Sequence, residues 1–194
     1  MFRKIIIVMI FLMFGLCSNY LFAQQKYEKE SRIKPKDVPS KAMNFIDSIN
    51  LKNRVKWYLE EGLETKSIEA KFKYNSKKYS VEFDTLGNIE DAEIEIKWDE
   101  MQTPFKDSIS SQLKKDCLKE KIVKVQIQYS GTSSEILSKL RENKTSGNLT
   151  IKYEVVVRCK SKDTVVLFEY LFNKKAQVLS RSEIIFKNSS HLEY

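Results

Sequence analysis

The carboxylates between residues 90 and 100 are the side chains of this sequence whose types and spacing could carry chemistry. The cluster consists of Glu90, Asp91, Glu93, Glu95, Asp99 and Glu100. Facing carboxyl groups can serve as general acid and base, and converging carboxylate oxygens can bind calcium. Alternation along a strand puts Glu93 and Glu95 on one face about 6–7 Å apart, with Lys97 next, which is typical of a solvated surface. We therefore expect no metal site, and these two glutamates are the only candidate acids for an enzyme.

Histidine-based and nucleotide-dependent chemistry finds no support in the sequence. The single histidine, His191, lies in a polar tail near the last residue, where neighbouring groups could hardly hold it rigid for catalysis. Neither a GxxxxGK[ST] loop nor a GxGxxG turn occurs, so a phosphate cradle is absent from the sequence. The sequence predicts no catalytic residues, no cofactor and a protein that is not an enzyme.

Cys117 and Cys159 are the cysteines that remain once the first 23 residues are set aside. They lack CxxC spacing and histidine partners, so they do not indicate a zinc site. Two thiols in an oxidising compartment can pair, but a disulfide needs a Cα–Cα distance of about 4.4–6.8 Å, which sequence separation does not determine. The sequence leaves this disulfide open, and such a bond would join a helix to a strand.

The first 23 residues have the pattern of a cleaved secretory signal. Arg3 and Lys4 precede an apolar stretch over residues 5–16, and Ala23 is the small residue that a signal peptidase requires. The sequence therefore predicts a periplasmic or secreted protein with a signal peptide at residues 1–23 and no transmembrane span in the mature chain.

Two alternatives to cleavage after Ala23 are open. A retained anchor would need about 20 mostly apolar residues, and Ser18 and Asn19 interrupt the run before that length. A lipoprotein would carry its lipid on Cys17, but Leu16 stands where such sites have a small residue. Cleavage is the preferred interpretation.

Composition and charge limit the classes of protein and partner. The chain has 194 residues and a formal net charge of +8, and 171 residues follow the signal, enough for one compact domain or two small tightly packed units. Lysines alternate with glutamates along the chain, without an Arg-rich run, so we expect no nucleic-acid partner. Weak attraction to anionic glycans or lipid headgroups is compatible with a generally basic surface.

Periodicity predicts a helix and then a set of strands in the first half. Residues 24–37 are polar and are interpreted as a flexible leader. Pro39 and Ser40 are start signals for an amphipathic helix. Apolar and polar residues then alternate over residues 55–59, 68–74, 79–83 and 92–98, which is typical of antiparallel strands with one buried face.

The second half repeats this order, with a helix after Pro104 followed by strands. Residues 83–89 align with residues 172–178, which suggests an internal duplication. We therefore predict an α+β fold, a tandem repeat of a helix followed by an antiparallel β-meander, with the helices packed on one face of the sheet. The predicted units span residues 38–102 and 103–187, with an insert at 130–148 and a polar tail at 188–194.

Aromatic and apolar residues indicate a contact surface. Tyr58 and Tyr170 lie on strands, opposite the main apolar residues or on strands apolar on both sides, and we expect them to contact a partner. The insert could form a short helix whose apolar side includes Ile136 and Leu140, and a long loop with its own element is often functional. A tolerated surface insertion is the alternative.

The sequence resembles the PepSY-like, β-lactamase-inhibitor-like proteins of bacterial envelopes. The likeness lies in the signal peptide, the helix opened by Val38 and Pro39, the segment KKYSVEFDTLGNIEDAEI at residues 77–94, and a degenerate second copy. The second copy departs from the pattern at Asn173 and Ala176. The resemblance implies tandem helix-plus-sheet units outside the cytoplasm and a binding role, and it implies no catalytic residues.

Two functional hypotheses follow from these observations. The first is a non-enzymatic envelope binding module that engages a protein or peptide through an exposed sheet face, with the 130–148 insert as a second contact. The alternative is a small-molecule or glycan carrier, or an enzyme, that uses a cleft between the two units. A deep polar pocket around the carboxylates would favour the alternative, and a broad apolar face would favour the first.

Overall fold

The computed structural model describes residues 24–145 and 147–186, which form one sheet of nine strands with three α-helices against it. The strands are β1 Gln24–Ile33, β2 Lys56–Glu61, β3 Lys66–Tyr74, β4 Lys77–Asp84, β5 Ile89–Glu95, β6 Lys119–Ser130, β7 Thr150–Lys160, β8 Val165–Asn173 and β9 Val178–Phe186. The helices are α1 Ser40–Ser48, α2 Thr103–Asp116 and α3 Ser133–Glu142. Two short 3₁₀ helices, at Pro35–Asp37 and Trp98–Glu100, precede α1 and α2.

The strands follow one another in chain order around a closed sheet. Each strand from β1 to β9 pairs antiparallel with the next, and β9 pairs in parallel with β1 to complete the ring. Closure removes most of the unpaired edge that an open sheet would expose. It also gives the sheet an outer and an inner face.

The apolar face of the sheet points outwards, against the helices, and forms two clusters. In the first, Ala42 and Phe45 of α1 and Ile136 of α3 cover β2 to β6, where Val81 and Phe83 are fully buried. In the second, α2 covers β6 to β8; its members are Met101, Ile109, Leu113, Val125, Val155, Val157, Tyr170 and Phe172. Burial of these side chains is the main favourable contribution to folding, because each removes apolar area from water.

The alternation that directs apolar residues outwards directs polar residues inwards. Across β3, β4 and β5, Glu69 lies opposite Glu82, and Glu82 lies opposite Asp91. These positions alternate with Ala70, Val81 and Ala92, which are completely buried under the helices. The interior of the sheet is therefore polar.

The predicted tandem repeat of helix-plus-meander units is wrong, because the structure is a single sheet of nine strands. Residues 92–95 of β5 pair with residues 126–129 of β6 across the predicted boundary near residue 102. Helix α3, from the insert in the predicted second unit, packs in the apolar cluster of the first half. The two halves thus share hydrogen bonds and core side chains, and neither is a separate unit.

The aligned turns of the two halves are nevertheless alike. In the first, the Asp84 side chain accepts hydrogen bonds from the backbone N–H groups of Leu86 and Asn88; in the second, Asn173 accepts from Lys175 and Gln177. Gly87 and Ala176 occupy the same position with φ of 83° and 57°. A Cβ on Gly87 would lie 2.9 Å from Pro39 Cβ and from the Ala42 backbone nitrogen, so this turn packs tightly on the start of α1.

The segment interpreted as a flexible leader is structured. Gln24–Ile33 is strand β1 and Pro35–Asp37 is a 3₁₀ helix. The backbone of β1 pairs with β2 and β9, which its polar side-chain pattern does not indicate. The predicted signal peptide at residues 1–23 and the polar tail at 188–194 lie outside the described residues. Within the described ranges, no helix has the length and apolarity needed to cross a membrane.

The disulfide that the sequence left open is present. Cys117, the residue that follows α2, is bonded to Cys159 of β7 across a Cα–Cα distance of 5.3 Å. Beside it, the Tyr170 hydroxyl donates to Asp116 Oδ2 at 3.0 Å, and the Arg181 guanidinium lies 3.7 Å from the same oxygen. The disulfide and the contacts of Asp116 together attach the end of α2 to β7, β8 and β9.

Candidate functional site

The inner face carries a belt of buried and half-buried carboxylates. The acidic belt, as we call it, consists of Glu69, Glu82, Asp91, Glu93 and Glu154. Glu69, Glu93 and Glu154 are only 4–6% exposed. Burial of like charges at neighbouring positions is costly, because both desolvation and mutual repulsion oppose ionisation. The belt is therefore the least expected feature of the fold.

At one end of the belt, Lys71 holds two carboxylates. Its ammonium group lies 2.6 Å from Glu30 Oε2 and 2.8 Å from Glu69 Oε2, and 5.1 Å from the centre of the Tyr58 ring. Burial alone would lower the pKa of Lys71, but the charges and hydrogen bonds of the two glutamates outweigh it and the pKa is raised. The hydroxyl of Ser80 donates to the other oxygen of Glu69.

The same end contains the one group of carboxylates in the described residues that converges closely enough to hold a metal ion. One oxygen each from Glu30, Glu60 and Glu69 lies within 4.8 Å of the others. Lys71 already brings its ammonium group into contact with two of these three side chains. The chain thus supplies its own cation where a metal would bind, and we assign no metal to this position.

Two further lysines contact carboxylates from the interior. Lys26 of β1 lies 2.7 Å from Glu169 of β8, and Lys124 of β6 lies 3.4 Å from Glu154 of β7. These lysine side chains are 40% and 41% exposed although both lie on the inner side of the closed sheet. Part of each lysine side chain is therefore in contact with solvent, although its ammonium group lies against a carboxylate of the inner face.

The remaining carboxylates of the belt make no direct contact with a cationic side chain in the described part of the chain, although lysines of the inner face attract them from farther away. Among residues 24–145 and 147–186, no ion pair joins Glu82, Asp91 or Glu93 to a lysine or arginine. Glu93 accepts a hydrogen bond of 2.6 Å from Gln126, whose own carbonyl oxygen is buried without a donor, as is Asp91 Oδ1. A buried acceptor without a donor is rare in a native protein and needs an explanation. These oxygens would all accept hydrogen bonds from a bound cation.

Burial and repulsion raise the proton affinity of these three groups. Burial is the larger cause for each, followed by the nearest carboxylates: Asp91 for Glu82, and Glu154 for both Asp91 and Glu93. The pKa of Asp91 is raised from 3.8 to about 7, and the pKa values of Glu82 and Glu93 are raised well above 4.5. Perturbed groups of this kind cluster at functional sites.

The free energy of unfolding is expected to increase as the pH falls from 8 to 5. In this range the folded chain binds more protons than the unfolded chain, because Glu82, Asp91 and Glu93 have raised pKa values only when folded. Each proton taken up on folding contributes about 1.4 kcal/mol per pH unit. Urea titrations at constant ionic strength at pH 5, 6, 7 and 8 measure the trend. A urea midpoint that decreases as the pH is lowered from 8 to 5 would contradict this prediction.

The residues predicted from sequence to form a contact surface do not come together. Tyr170, Ile136 and Leu140 are buried in the outer apolar clusters, with at most 5% exposure, so these three predictions are wrong. Helical and strand periodicity identified them as apolar, and the structure uses that apolarity for the core. Tyr58 is half-buried on the inner face, where its ring contacts Lys71.

The two candidate acids also separate. Glu93 is buried in the acidic belt, whereas Glu95 lies towards the end of β5, where its carboxylate contacts Lys78 at 2.9 Å. Sequence reasoning therefore found Glu93 and Asp91 as members of an acidic cluster, but it missed Glu69, Glu82 and Glu154. A signal was available, because each of these three occupies the polar position of an alternating strand. The sequence does not show the strand register that places Glu69 opposite Glu82 and brings Glu154 to the same face of the sheet.

A cleft of about 630 Å³ lies between α1, α3 and the β4–β5 turn. Its polar side chains are largely engaged with neighbours: Lys41 donates to Asn88, Ser48 donates to the Phe45 carbonyl, and Thr132 caps α3 through Glu135. Phe45 and Phe83 form part of its lining, and no carboxylate lines it. The cleft offers a ligand fewer unsatisfied groups than the acidic belt does.

Comparison with known proteins bears on the fold alone. No family model matches the chain, and no curated protein matches it. A solved structure, the crystal structure of a DUF2874 family protein from Bacteroides ovatus ATCC 8483, matches with a TM-score of 0.51 and 11% sequence identity. The match covers 75% of this chain and 87% of that one. The fold is thus similar to that of a natural bacterial protein.

Proposed function

We propose that this chain is a non-enzymatic binding protein, periplasmic or secreted, whose acidic belt binds a small organic cation. The observation that carries the proposal is a set of three inner-face carboxylates, the buried Glu93 and the half-buried Glu82 and Asp91, that form no ion pair among the described residues. A sequence retains such a costly arrangement where it has a use, since amides at the same positions would fold more easily.

The chemistry of the belt favours primary ammonium groups. Three lysine ammonium groups of the chain already bind carboxylates of the interior, at Glu69, Glu154 and Glu169. Charge-assisted hydrogen bonds of this kind are short and strong. A ligand with two or more ammonium groups would make the same contacts with Glu82, Asp91 and Glu93, and the free oxygen of Gln126 would accept a further hydrogen bond.

The spacing of the carboxylates disfavours a metal ion as the ligand. Calcium and magnesium need several oxygens around one point. Among the described residues, Glu82, Asp91 and Glu93 do not converge within 4.8 Å of one another, and they follow adjacent strands instead. An extended polyamine matches that distribution, because its ammonium groups are separated along a chain.

A protein or peptide partner is the second candidate function. It is what the resemblance to PepSY-like proteins implies, and the partly unpaired edge of β9 favours it. The predicted exposed apolar sheet face does not support it, because helices cover the apolar face. The single histidine lies in the polar tail and the sequence has no nucleotide-binding motif, which supports a role without catalysis.

Binding of spermidine and putrescine to residues 24–194 tests the proposal. At pH 8, where the belt is most ionised, saturating spermidine is expected to raise the melting temperature, since a ligand at 100 times its Kd stabilises by about 2.7 kcal/mol. Calorimetry at pH 7 in buffers of different ionisation enthalpy is expected to show proton release, because a bound cation lowers the raised pKa values of the belt.

The variant Glu82→Gln/Asp91→Asn/Glu93→Gln is expected to lose this binding. Glu64→Gln, in the exposed β2–β3 loop, is the matched control that removes one carboxylate far from the belt and keeps the binding. Equal binding by the belt variant and the wild-type chain would place the cation on the surface and overturn the proposal. The absence of any shift at millimolar spermidine would overturn it as well.

A further inference from the structure

The two halves of strand β1 pair with different strands. Within the described parts of the chain, residues 24–28 pair with residues 182–186 of β9 alone, and residues 29–33 pair with residues 57–61 of β2 alone. The pairing with β9 is parallel, whereas every other pairing of the sheet is antiparallel. Residues 24–28 therefore behave as a short separate strand that is added to the edge of β9 and joined to the rest of β1 at residues 28 and 29.

Among the residues that the structure describes, the β1 side of β9 has a partner at residues 182–186 alone. On its other side β9 pairs with β8 from Val178 to Glu183, so the last residues of β9, 184–186, have only the added strand as a neighbour. An ion pair of 2.7 Å between Lys26 and Glu169 of β8 accompanies this pairing. Five backbone pairs and this ion pair are among the contacts that hold the added strand in place.

We propose that the edge of β9 is a strand-binding surface, and that its partner is the segment 24–28 of a second copy of this chain. The proposal does not depend on the ligand of the acidic belt. The partner is argued from fit: the chain's own segment already pairs with this edge, so the same segment of another copy makes identical backbone bonds and the same lysine–glutamate contact. When two copies exchange an identical segment, the segment makes the same contacts with the other copy as it makes within one chain.

Exchange is favoured by the local energetics of the segment. Its displacement breaks the pairs to β9 alone and leaves β2 to β9 and all three helices intact. In the chain 24–194 this segment is the N-terminal strand, and fraying termini open with much smaller free energies than the whole fold. An edge exposed in this way is a template for pairing with another chain.

Paired proline variants of residues 24–194 test the proposal. Lys26→Pro/Tyr27→Pro removes the donor strand and leaves the β9 edge open, and Ile184→Pro/Ile185→Pro blocks the edge and keeps the donor strand. Adjacent N–H groups of a strand point to opposite sides, so one of two neighbouring prolines removes a bond to the partner strand. Neither pair of positions belongs to the β1–β2 or β8–β9 ladders, so both variants are expected to fold.

Each proline variant alone is expected to have the mass of one chain in size-exclusion chromatography with light scattering. An equimolar mixture at 100 μM is expected to contain a complex of one chain of each, with twice that mass. A mixture that shows only single chains would overturn the proposal. Circular dichroism and the melting temperature of each variant establish that it is folded.

Charge reversal provides a second readout that does not rely on proline. Lys26→Glu and Glu169→Lys each place like charges against each other within one chain, but an exchanged dimer of the two restores an opposite-charge pair at both contacts. The mixture is expected to dimerise at least tenfold more tightly than either variant alone. A complex in the proline mixture that charge reversal does not affect would mean association elsewhere, and would overturn the assignment to this edge.

Discussion

Replacement of Glu82, Asp91 and Glu93 by their amide counterparts is expected to raise the free energy of unfolding at pH 8 by about 2–4 kcal/mol. The pKa of Asp91 is raised from 3.8 to about 7, which corresponds to about 4 kcal/mol against ionisation, and an amide keeps part of the burial cost. For a domain of this size, about 3 kcal/mol raises the melting temperature by roughly 10 °C. Urea unfolding and calorimetry of the triple variant measure the effect.

The pH dependence of the triple variant shows whether its gain in stability comes from the loss of the titrating carboxylates or from a general stabilisation of the fold. Because the titrating groups are gone, the rise in stability between pH 8 and pH 5 expected for the wild-type chain is expected to be largely lost in the variant. Glu64→Gln, which removes an exposed carboxylate, is expected to keep the wild-type profile. A triple variant less stable than the wild-type chain at pH 8 would mean that the belt carboxylates stabilise the fold. That result would remove the argument that they are retained for binding.

Loss of the Cys117–Cys159 disulfide is expected to lower the free energy of unfolding by about 4 kcal/mol. The bond closes a loop with a sequence separation of 42 residues, and the chain-entropy relation gives about 4 kcal/mol for a loop of that length. The double variant Cys117→Ala/Cys159→Ala and the reduced wild-type chain are expected to have similar urea midpoints, well below that of the oxidised chain.

Dithiothreitol is the internal control for this prediction. It is expected to shift the midpoint of the wild-type chain and leave that of the double variant unchanged. A shift of less than 1 kcal/mol on reduction would contradict the prediction and would indicate that Asp116, Tyr170 and Arg181 hold the end of α2 without the covalent bond. A large shift would also fit a chain that matures in an oxidising compartment, as its predicted signal implies.

Local elements could be predicted from the sequence because their signals are short in range. The helix expected after Pro39 is α1, and the alternation of Tyr79, Val81 and Phe83 belongs to strand β4. A period of two or of 3.6 residues needs no knowledge of distant residues. The strand over residues 24–33 was missed for the same reason: it has no apolar alternation, and its backbone is satisfied by β2 and β9, which lie far along the chain.

The candidate site was only partly predictable. Asp91 and Glu93 stood out as members of an acidic run. The solvated face expected for Glu93 and Glu95 is wrong for Glu93, because the closed sheet encloses the polar face that an open sheet would leave to water. Glu69 and Glu154 occupy polar positions of alternating strands, but as single carboxylates in separate strands they gave no sign that other carboxylates lie close to them in the fold. Tyr170 was assigned to a surface because the sequence does not reveal that α2 covers its strand.

The sequence by itself determined which residues alternate, where helices begin, which cysteines are available and which carboxylates are close along the chain. Tertiary structure alone decided that the sheet is single and closed, that its apolar face points outwards, and that carboxylates of β3, β4, β5 and β7 share one enclosed space. The physical reason is that alternation specifies two faces without saying which is enclosed. Closure depends on strand register and on the pairing of β1 with β9, and both arise from contacts between residues far apart in the chain.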